Sequence, residues 1–325
     1  MFLVTGGAGF IGSNLVHALS ARGAEVTVCD RLRDGPKWRN LRGAVVAGIV
    51  APERLEAWLD GARDLEAVFH LGAVSATTVT DGDLVAESNL NLTLRLWEFC
   101  AARGVPFFYA SSAATYGDGT LGFDDDADPA ALARLAPLNL YGWSKHATDR
   151  RIAQLVALGR PAPPRWAGLK FFNVYGPREA HKGRMASVAL HKWRQVARGR
   201  SATLFASDRP DYEDGGQKRD FVHVDDCVAA MLWLADAARP SGLYNVATGT
   251  ARSFADLARA IYAAAGQDAE IEYVAMPEDL RGKYQYFTEA RMDRLRAAGF
   301  DRAPIALEDG IASYARWLRE EGAEA

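Results

Sequence analysis

Over the first 175 residues, short apolar runs alternate with longer stretches whose apolar positions recur at helical spacing. A short apolar strand start leads into Val4-Thr5, a glycine turn follows, and Leu15, Val16, Ala18 and Leu19 mark an amphipathic helix. Residues 24–29 form a second strand closed by Asp30, and residues 44–49, 67–71, 107–110 and 168–172 read as four more. Between them, residues 53–60, 83–103 and 141–158 have helical periodicity, the second through Leu90, Leu94, Trp97, Cys100 and Ala101. The unbroken apolar run Phe107-Phe108-Tyr109-Ala110 suits a strand covered on both faces. Strands alternating with crossover helices predict an α/β fold, a doubly wound parallel Rossmann sheet with right-handed connections.

Beyond Asn173 the pattern changes. Loop signals accumulate at Gly176-Pro177 and Gly183, and the polar stretch 207–218 carries Asp211, Glu213, Asp214 and paired glycines. The division expected is a dinucleotide-binding domain over residues 1–173, its sheet completed by segments near 220–250, and a smaller, mainly substrate-binding α/β lobe over 174–325. Residues 226–237 and 253–265 read as helices, the latter N-capped by Ser253. Residues 207–218 lack apolar periodicity and read as a mobile surface excursion.

Composition narrows the class. A chain of 325 residues buries a large core, and 49% hydrophobic with 24% charged residues is the balance of a soluble globular enzyme. A net charge of −3 gives no broad attraction to nucleic acid or to an anionic membrane. Any anionic ligand must therefore meet local basic groups. No signal peptide and no membrane-spanning apolar run are evident, which predicts a cytoplasmic protein without a membrane partner. Cys29, Cys100 and Cys227 are odd in number and lack metal-ligand spacing, so they read as small buried hydrophobes and no metal is expected.

The chemistry concentrates at predicted strand ends, where open α/β sheets place ligands. After strand one, glycines at 7, 9 and 12 fit the dinucleotide pattern, and those at 6, 9 and 12 fit its short-chain dehydrogenase variant. Glycine permits positive φ and close approach of backbone N–H groups to a pyrophosphate, and the helix N-terminus adds its dipole. At the end of strand two, Asp30 suits ribose hydroxyls and favours NAD, whereas Arg31 and Lys37 suit a 2′-phosphate. Together the two cations favour NADP, with NAD possible; read otherwise, they are solvated loop charges. Strand four runs into Leu71-Gly72-Ala73-Val74-Ser75, small enough for backbone contact with an extended cofactor. Strand five ends at Ser112, and Tyr141 and Lys145 follow four apart on one helix face. A phenol is a poor base at neutral pH unless a cation stabilises its phenolate, which Lys145 and an oxidised nicotinamide would do. Ser112 would align the reacting oxygen.

Thr5-Gly6-Gly7-Ala8-Gly9-Phe10-Ile11-Gly12, Ser111-Ser112-Ala113-Ala114-Thr115-Tyr116-Gly117 and Tyr141-Gly142-Trp143-Ser144-Lys145 resemble the extended short-chain dehydrogenases/reductases acting on nucleotide sugars. Phe171 through Gly183, Met185-Ala186-Ser187-Val188-Ala189, Lys218-Arg219-Asp220-Phe221-Val222, Gly282-Lys283-Tyr284-Gln285 and Leu295-Arg296-Ala297-Ala298-Gly299 narrow the resemblance. Together they are similar to the ADP-glyceromanno-heptose 6-epimerase family over residues 1 to about 318.

That resemblance implies interconversion of the D-glycero and L-glycero forms of ADP-manno-heptose for lipopolysaccharide core synthesis. Tightly held NADP⁺ takes hydride from carbon six, the ketone reorients, and hydride returns to its opposite face. Tyr141 would serve one face as acid/base and Lys182 the other; without such a role Lys182 is a solvated loop charge. The resemblance adds Phe10, Ile11, Ser88, Val174 and Lys182 to the cofactor set. For the substrate it implies Ser112, Asn173, Arg184, His191, Phe205, Ala206, Ser207, Asp208, Arg219 and Tyr284. Arg219 suits the diphosphate, and His191 read alone is as well a satisfied helix residue. It implies a homo-oligomer, a pentamer. The chain departs from the family pattern at Leu71, Arg184 and Pro52-Glu53-Arg54, where the family has Glu, Ser and a nearby Lys. The alternatives are another nucleotide-sugar epimerase of the UDP-hexose 4-epimerase type and a non-catalytic dinucleotide module. Ala113-Ala114 disfavour a dehydratase, which needs an acid/base pair there.

Overall fold

The computed structural model describes residues 1–236, 239–278 and 285–321. Six strands, β1 (Phe2–Thr5), β2 (Val26–Cys29), β3 (Gly48–Val50), β4 (Ala67–His70), β5 (Phe107–Ser112) and β6 (Trp166–Phe171), join an edge strand Gly242–Val246 in one parallel sheet. The order across it is the edge strand, β6, β5, β4, β1, β2, β3. From β1 the chain winds outward through β2 to β3, then returns to β4 and winds the other way. The reversal opens a crevice at the carboxyl ends of β1 and β4.

Alternating side chains bury both faces of the sheet. Val4 and Phe108 face a core shared with Leu15, Leu19, Met231 and Leu234 from the helices Phe10–Ala21 and Val224–Asp236. Leu3, Phe107 and Tyr109 face Trp97, Cys100 and Ile152 from the helices Leu92–Arg103 and Leu140–Ala157. A separate core forms around Leu190, Trp193, Leu257, Ile261, Ile311 and Leu318. It is enclosed by the helices Val188–Ala197, Phe254–Ala265 and Leu307–Glu320. Three two-stranded pairings flank it: Asn173–Tyr175 with Phe221–His223, Ala202–Phe205 with Ile271–Val274, and Lys218–Arg219 with Arg252–Ser253. Ser253 caps its helix reciprocally with Asp256, the two backbone N–H groups donating at 2.9 and 3.1 Å.

Three expectations differ in detail. Strand three is only Gly48–Val50, because the chain turns first, with Ala44 N donating to Leu41 O at 3.1 Å and Val45 exposed. The helix expected over residues 83–103 is interrupted by a π-turn at Ala86–Asn91. The widened turn shifts the helix phase so that Asn89, fully buried, replaces Leu90 on the inner face. Residues 207–218 are held by local polar bonds, Ser207 N donating to Asp214 Oδ1 at 2.7 Å and Gly215 N to Phe205 O at 3.0 Å. The three cysteines are buried and unbridged. Among the described residues no helix is long and apolar enough to cross a membrane.

Candidate functional site

The glycine turn is most strictly constrained at Gly6 and Gly12. Gly6 has φ +66°, and a Cβ there would lie 2.6 Å from Gly72 N. A Cβ on Gly12 would lie 2.2 Å from Gly6 O. Gly7 needs no left-handed backbone, but a Cβ there would lie 2.9 Å from Val28 Cγ1 and 3.0 Å from Val4 O, as close as the 3.0 Å from Gly9 to Gly6 O, so the turn is tight at all four glycines and the left-handed φ falls on Gly6. Gly9 then caps the helix that begins at Phe10 and Ile11, leaving its N-terminus facing the crevice. Gly72 N donates to Thr5 Oγ1 at 3.1 Å, tying the fourth strand's exit to the turn. Ala73 and Ser75 are exposed, Leu71 and Val74 half-buried. Buried Asn89 holds this segment from both sides, accepting from Val74 N at 2.8 Å and donating to Val74 O at 2.9 Å. Its neighbour Ser88 is half-buried. Sequence spacing had favoured Leu90, and only the π-turn brings Asn89 inward.

Asp30 is buried and fully engaged. Its carboxylate accepts from Ala8 N at 2.9 Å, Arg31 N at 2.7 Å and Lys37 Nζ at 2.5 Å. Arg31 turns the other way and pairs with Glu53 at 2.6 Å, both exposed. The two cations proposed for one phosphate therefore have different carboxylate partners. Asn40 donates to Ala8 O at 2.9 Å and meets His181 Nδ1 at 2.9 Å, which fastens a loop from far along the chain to the glycine turn.

Ser112 and Tyr141 meet. The phenol hydrogen-bonds Ser112, which offsets part of the upward push that burial gives its pKa, and Asp149 adds to that push. Lys145, one helical turn on and 2% exposed, is held down to about 8 by burial, with Asp149 opposing. Tyr141, Lys145 and Asp149 occupy positions i, i+4 and i+8 of the helix Leu140–Ala157 and share one face. Behind them lies a buried network that sequence reading missed. Asp149 accepts from Tyr109 at 2.9 Å, Ser111 at 2.7 Å and Lys170 at 2.7 Å, and Lys170 also donates to Thr115 at 2.7 Å. The available signals were an acid four residues after Lys145 and a cation inside the apolar β6. His70, pushed down to about 3 by burial and then by Lys145, stays neutral between Thr5 at 2.7 Å and Thr93 at 2.9 Å.

Lys182 approaches from the other side. It lies in the single turn Ala180–Met185, half-buried, with Nζ 5.5 Å from the Phe10 ring centroid. Burial lowers its pKa and Glu179 opposes. Glu179 is itself buried and accepts from Ser187 N at 2.5 Å and Ser187 Oγ at 2.7 Å. Arg178, at φ +71°, donates to Asn14 Oδ1 at 2.8 Å, and Asn14 donates to Pro177 O at 2.9 Å. The Lys182 loop thus hangs from the helix that follows the glycine turn.

The remaining candidates are less gathered. Asn173 is exposed, with its N–H on Asp220 O at 3.1 Å, and Val174 is half-buried. Arg184 is exposed; its carbonyl lies 3.3 Å from His191 Nε2. Phe205, Ala206 and Ser207 are half-buried, and exposed Asp208 hydrogen-bonds the Tyr286 hydroxyl, its N–H to that oxygen at 3.0 Å. Arg219 is buried over the Phe254 ring at 5.5 Å. Tyr284 lies outside the described residues.

Residues 2–247 match the model of the NAD dependent epimerase/dehydratase family. The chain is 47% identical over 320 residues to an ADP-L-glycero-D-manno-heptose-6-epimerase of Nitratidesulfovibrio vulgaris, covering 97% of each protein. The fold matches the crystal structure of the Helicobacter pylori ADP-L-glycero-D-manno-heptose-6-epimerase with a TM-score of 0.80 at 29% identity, over 98% of this chain and 96% of that one. A Thermus thermophilus UDP-glucose 4-epimerase complexed with NAD matches with a TM-score of 0.76 at 30% identity, over 98% of each chain.

Proposed function

The chain belongs to the NAD dependent epimerase/dehydratase family and, within it, to the ADP-L-glycero-D-manno-heptose-6-epimerases, and on that premise we propose that it inverts carbon six of ADP-D-glycero-β-D-manno-heptose. It is an isomerase. The cradle at Gly6 and Gly12, where a Cβ would collide with backbone, fits a dinucleotide pyrophosphate against the helix N-terminus. A nicotinamide dinucleotide held there supplies reversible hydride acceptance. Residues 1–173 hold it and residues 174–325 mainly hold the sugar nucleotide.

Within this reading Tyr141 Oη takes the proton of the carbon-six hydroxyl on one face. Ser112 orients that oxygen, and the Lys145 ammonium stabilises the phenolate that burial would otherwise disfavour. Inversion places the hydroxyl on the other face, where the Lys182 amine exchanges the second proton. The observation that carries this reading is Lys182 itself. A loop lysine is ordinarily solvated, yet this one is half-buried beside Phe10, at the start of the helix whose N-terminus faces the crevice, on a loop fastened through Asn14 and Asn40. Arg219 pairs with the diphosphate, and Asn173, His191 and residues 205–208 position the remainder of the substrate.

The dinucleotide in this proposal is NADP. Lys37 neutralises Asp30, and Arg31 turns from Glu53 to the 2′-phosphate. The assembly is a homo-oligomer, a pentamer, which light scattering measures. Incubation with ADP-D-glycero-β-D-manno-heptose, read by product stereochemistry, tests the activity; turnover of a UDP-hexose instead would overturn it. Lys182→Met should lower turnover by ~10²-fold or more while the fold survives. Near-full activity in that variant would remove the two-base assignment.

A further inference from the structure

The turn that carries Lys182 is closed at its neck by one side chain. Before the turn, Gly176 N donates to Glu179 Oε1 at 3.3 Å. After it, Ser187 donates through Oγ to the same oxygen at 2.7 Å and through N to Oε2 at 2.5 Å. Ser187 Oγ also accepts from Leu190 N at 3.2 Å and so caps the helix Val188–Ala197. Between the two ends, Lys182 N returns to Glu179 O at 3.0 Å, and Gly183, at φ +55°, reverses the chain. One carboxylate therefore holds both exits of the segment whose lysine reaches the Phe10 ring.

Closing a loop does not call for a charge. A glutamine carbonyl also accepts hydrogen bonds, and a fully buried carboxylate carries a desolvation penalty that a neutral amide avoids. Burial pushes the Glu179 pKa up, and the Ser187 bonds, the Gly176 N–H and then the Lys182 charge push it back. Burial likewise pushes Lys182 down, and the Glu179 charge opposes. The other titratable groups packed here do not take that part. Tyr314, from the helix Leu307–Glu320, is kept neutral by burial and then by Glu179, with Arg194 opposing. His181, held down to about 4 by burial and then by Lys37, is neutral as well, and Asp30 is paired with Lys37.

We propose that Glu179 is the positioning residue of Lys182: its carboxylate closes the neck of the loop and supplies the counter-charge for the amine beside Phe10. The catalytic consequence rests on the reading of Lys182 as the second acid/base, whereas the electrostatic coupling of the two side chains does not.

Trace acetylation of the intact, cofactor-bearing protein across pH, with modified Lys182 counted by peptide mass spectrometry, reads the amine without turnover. E179Q keeps the shape and removes the charge, so the Lys182 midpoint should move to lower pH and labelling at neutral pH should rise several-fold. E179D restores the charge and should return the midpoint toward that of the wild type. K182M leaves the neck intact and supplies the reciprocal arm, which decides the matter even where E179Q does not fold. In it the Glu179 carboxyl, followed by carbon-13 NMR, should titrate at higher pH than in the wild type. Turnover then separates positioning from mere structure: E179Q should lower kcat by ~10-fold with KM changed less than ~2-fold. E179Q/K182M should be no slower than K182M, since the pair acts as a unit. A Lys182 midpoint unmoved in E179Q, a Glu179 midpoint unmoved in K182M, or an added loss in the double variant would each overturn the proposal. Near-full activity in K182M would instead remove the two-base reading and leave the two titrations to judge Glu179.

Discussion

The crevice at the strand ends and the lobe proposed to hold the substrate are built by different means. In the crevice, backbone geometry and buried bonds fix position: Gly6 against Gly72, Asn89 on Val74, Asp30 on Ala8, Asp149 on Lys170. In the lobe, the candidate residues are largely exposed or half-buried side chains on short strands and loops, as at Asn173, Arg184 and Asp208. Under the proposed function, a dinucleotide shared by many enzymes would be met by a surface that tolerates little change. The sugar nucleotide that distinguishes one enzyme from another would, under the same proposal, be met by side chains on the loops of the lobe. Lys182 crosses that division, since it comes from the second half of the chain but is anchored on the first.

The largest effect should come from the rigid side. Gly12→Ala places a Cβ within 2.2 Å of Gly6 O, and relief requires the turn itself to open. Protein purified from this variant should carry almost no nucleotide, measured by mass spectrometry of the released cofactor. Gly23→Ala is the matched control, because that glycine also has positive φ, +73°, but nothing lies within 4 Å of a Cβ there. Its cofactor content should be unchanged. Tyr141→Phe comes next. Losing the proposed proton acceptor should cost ~10²–10⁴-fold in turnover with cofactor content intact, read by single-turnover epimerisation. Retained turnover would move the chemistry away from this helix face.

Asp149→Asn probes the network behind the site. Lys170 is fully buried, and removing its counter-charge should cost ~3–5 kcal/mol of stability, seen in denaturant unfolding. The pH profile supplies a second reading. Asp149 raises the pKa of both Tyr141 and Lys145, so its loss lowers both. The alkaline limb of kcat/KM, set by loss of the Lys145 proton at about 8, should move to lower pH. Adding Lys170→Met should recover stability without restoring the limb. A limb that stays in place would mean that Asp149 acts on the fold alone.

The same division governs what the sequence made legible. The βα alternation, the doubly wound parallel sheet and the placing of Tyr141 and Lys145 on one helix face rest on periodicity and local spacing, which one sequence displays. Asn89 was hidden because a π-turn breaks the 3.6-residue period that pointed to Leu90. Asp149 with Lys170, and Asn40 with His181, join residues 21 and 141 positions apart, and no local pattern reports such contacts. On the lobe, the sequence reading located the helix Phe254–Ala265 but not Val188–Ala197 or Leu307–Glu320, and Arg184, His191 and Arg219 drew attention only through family resemblance. Their side chains do not yet form one constellation. Arg31 was legible as a cation beside Asp30, while its turn toward Glu53 was not.

The smallest effect is the most discriminating. Arg31 and Glu53 form an exposed pair, and exposed pairs contribute little to stability, so Glu53→Ala should leave unfolding within ~0.5 kcal/mol of wild type. It should still change the cofactor. With Glu53 in place, a 2′-phosphate must compete with a carboxylate for the Arg31 guanidinium and also lie near a like charge. Without it, Arg31 and Lys37 can both face the phosphate, and the ratio of NADP to NAD bound should rise several-fold, on the order of 1 kcal/mol. Competition of the two nucleotides for refolded, cofactor-free protein measures that ratio directly. A ratio unmoved by Glu53→Ala but lowered by Lys37→Ala would assign the adenosine end to Lys37 and Asp30. Arg31 would then belong to the surface rather than to the crevice, and the division drawn between rigid and variable halves would run through strand β2 itself.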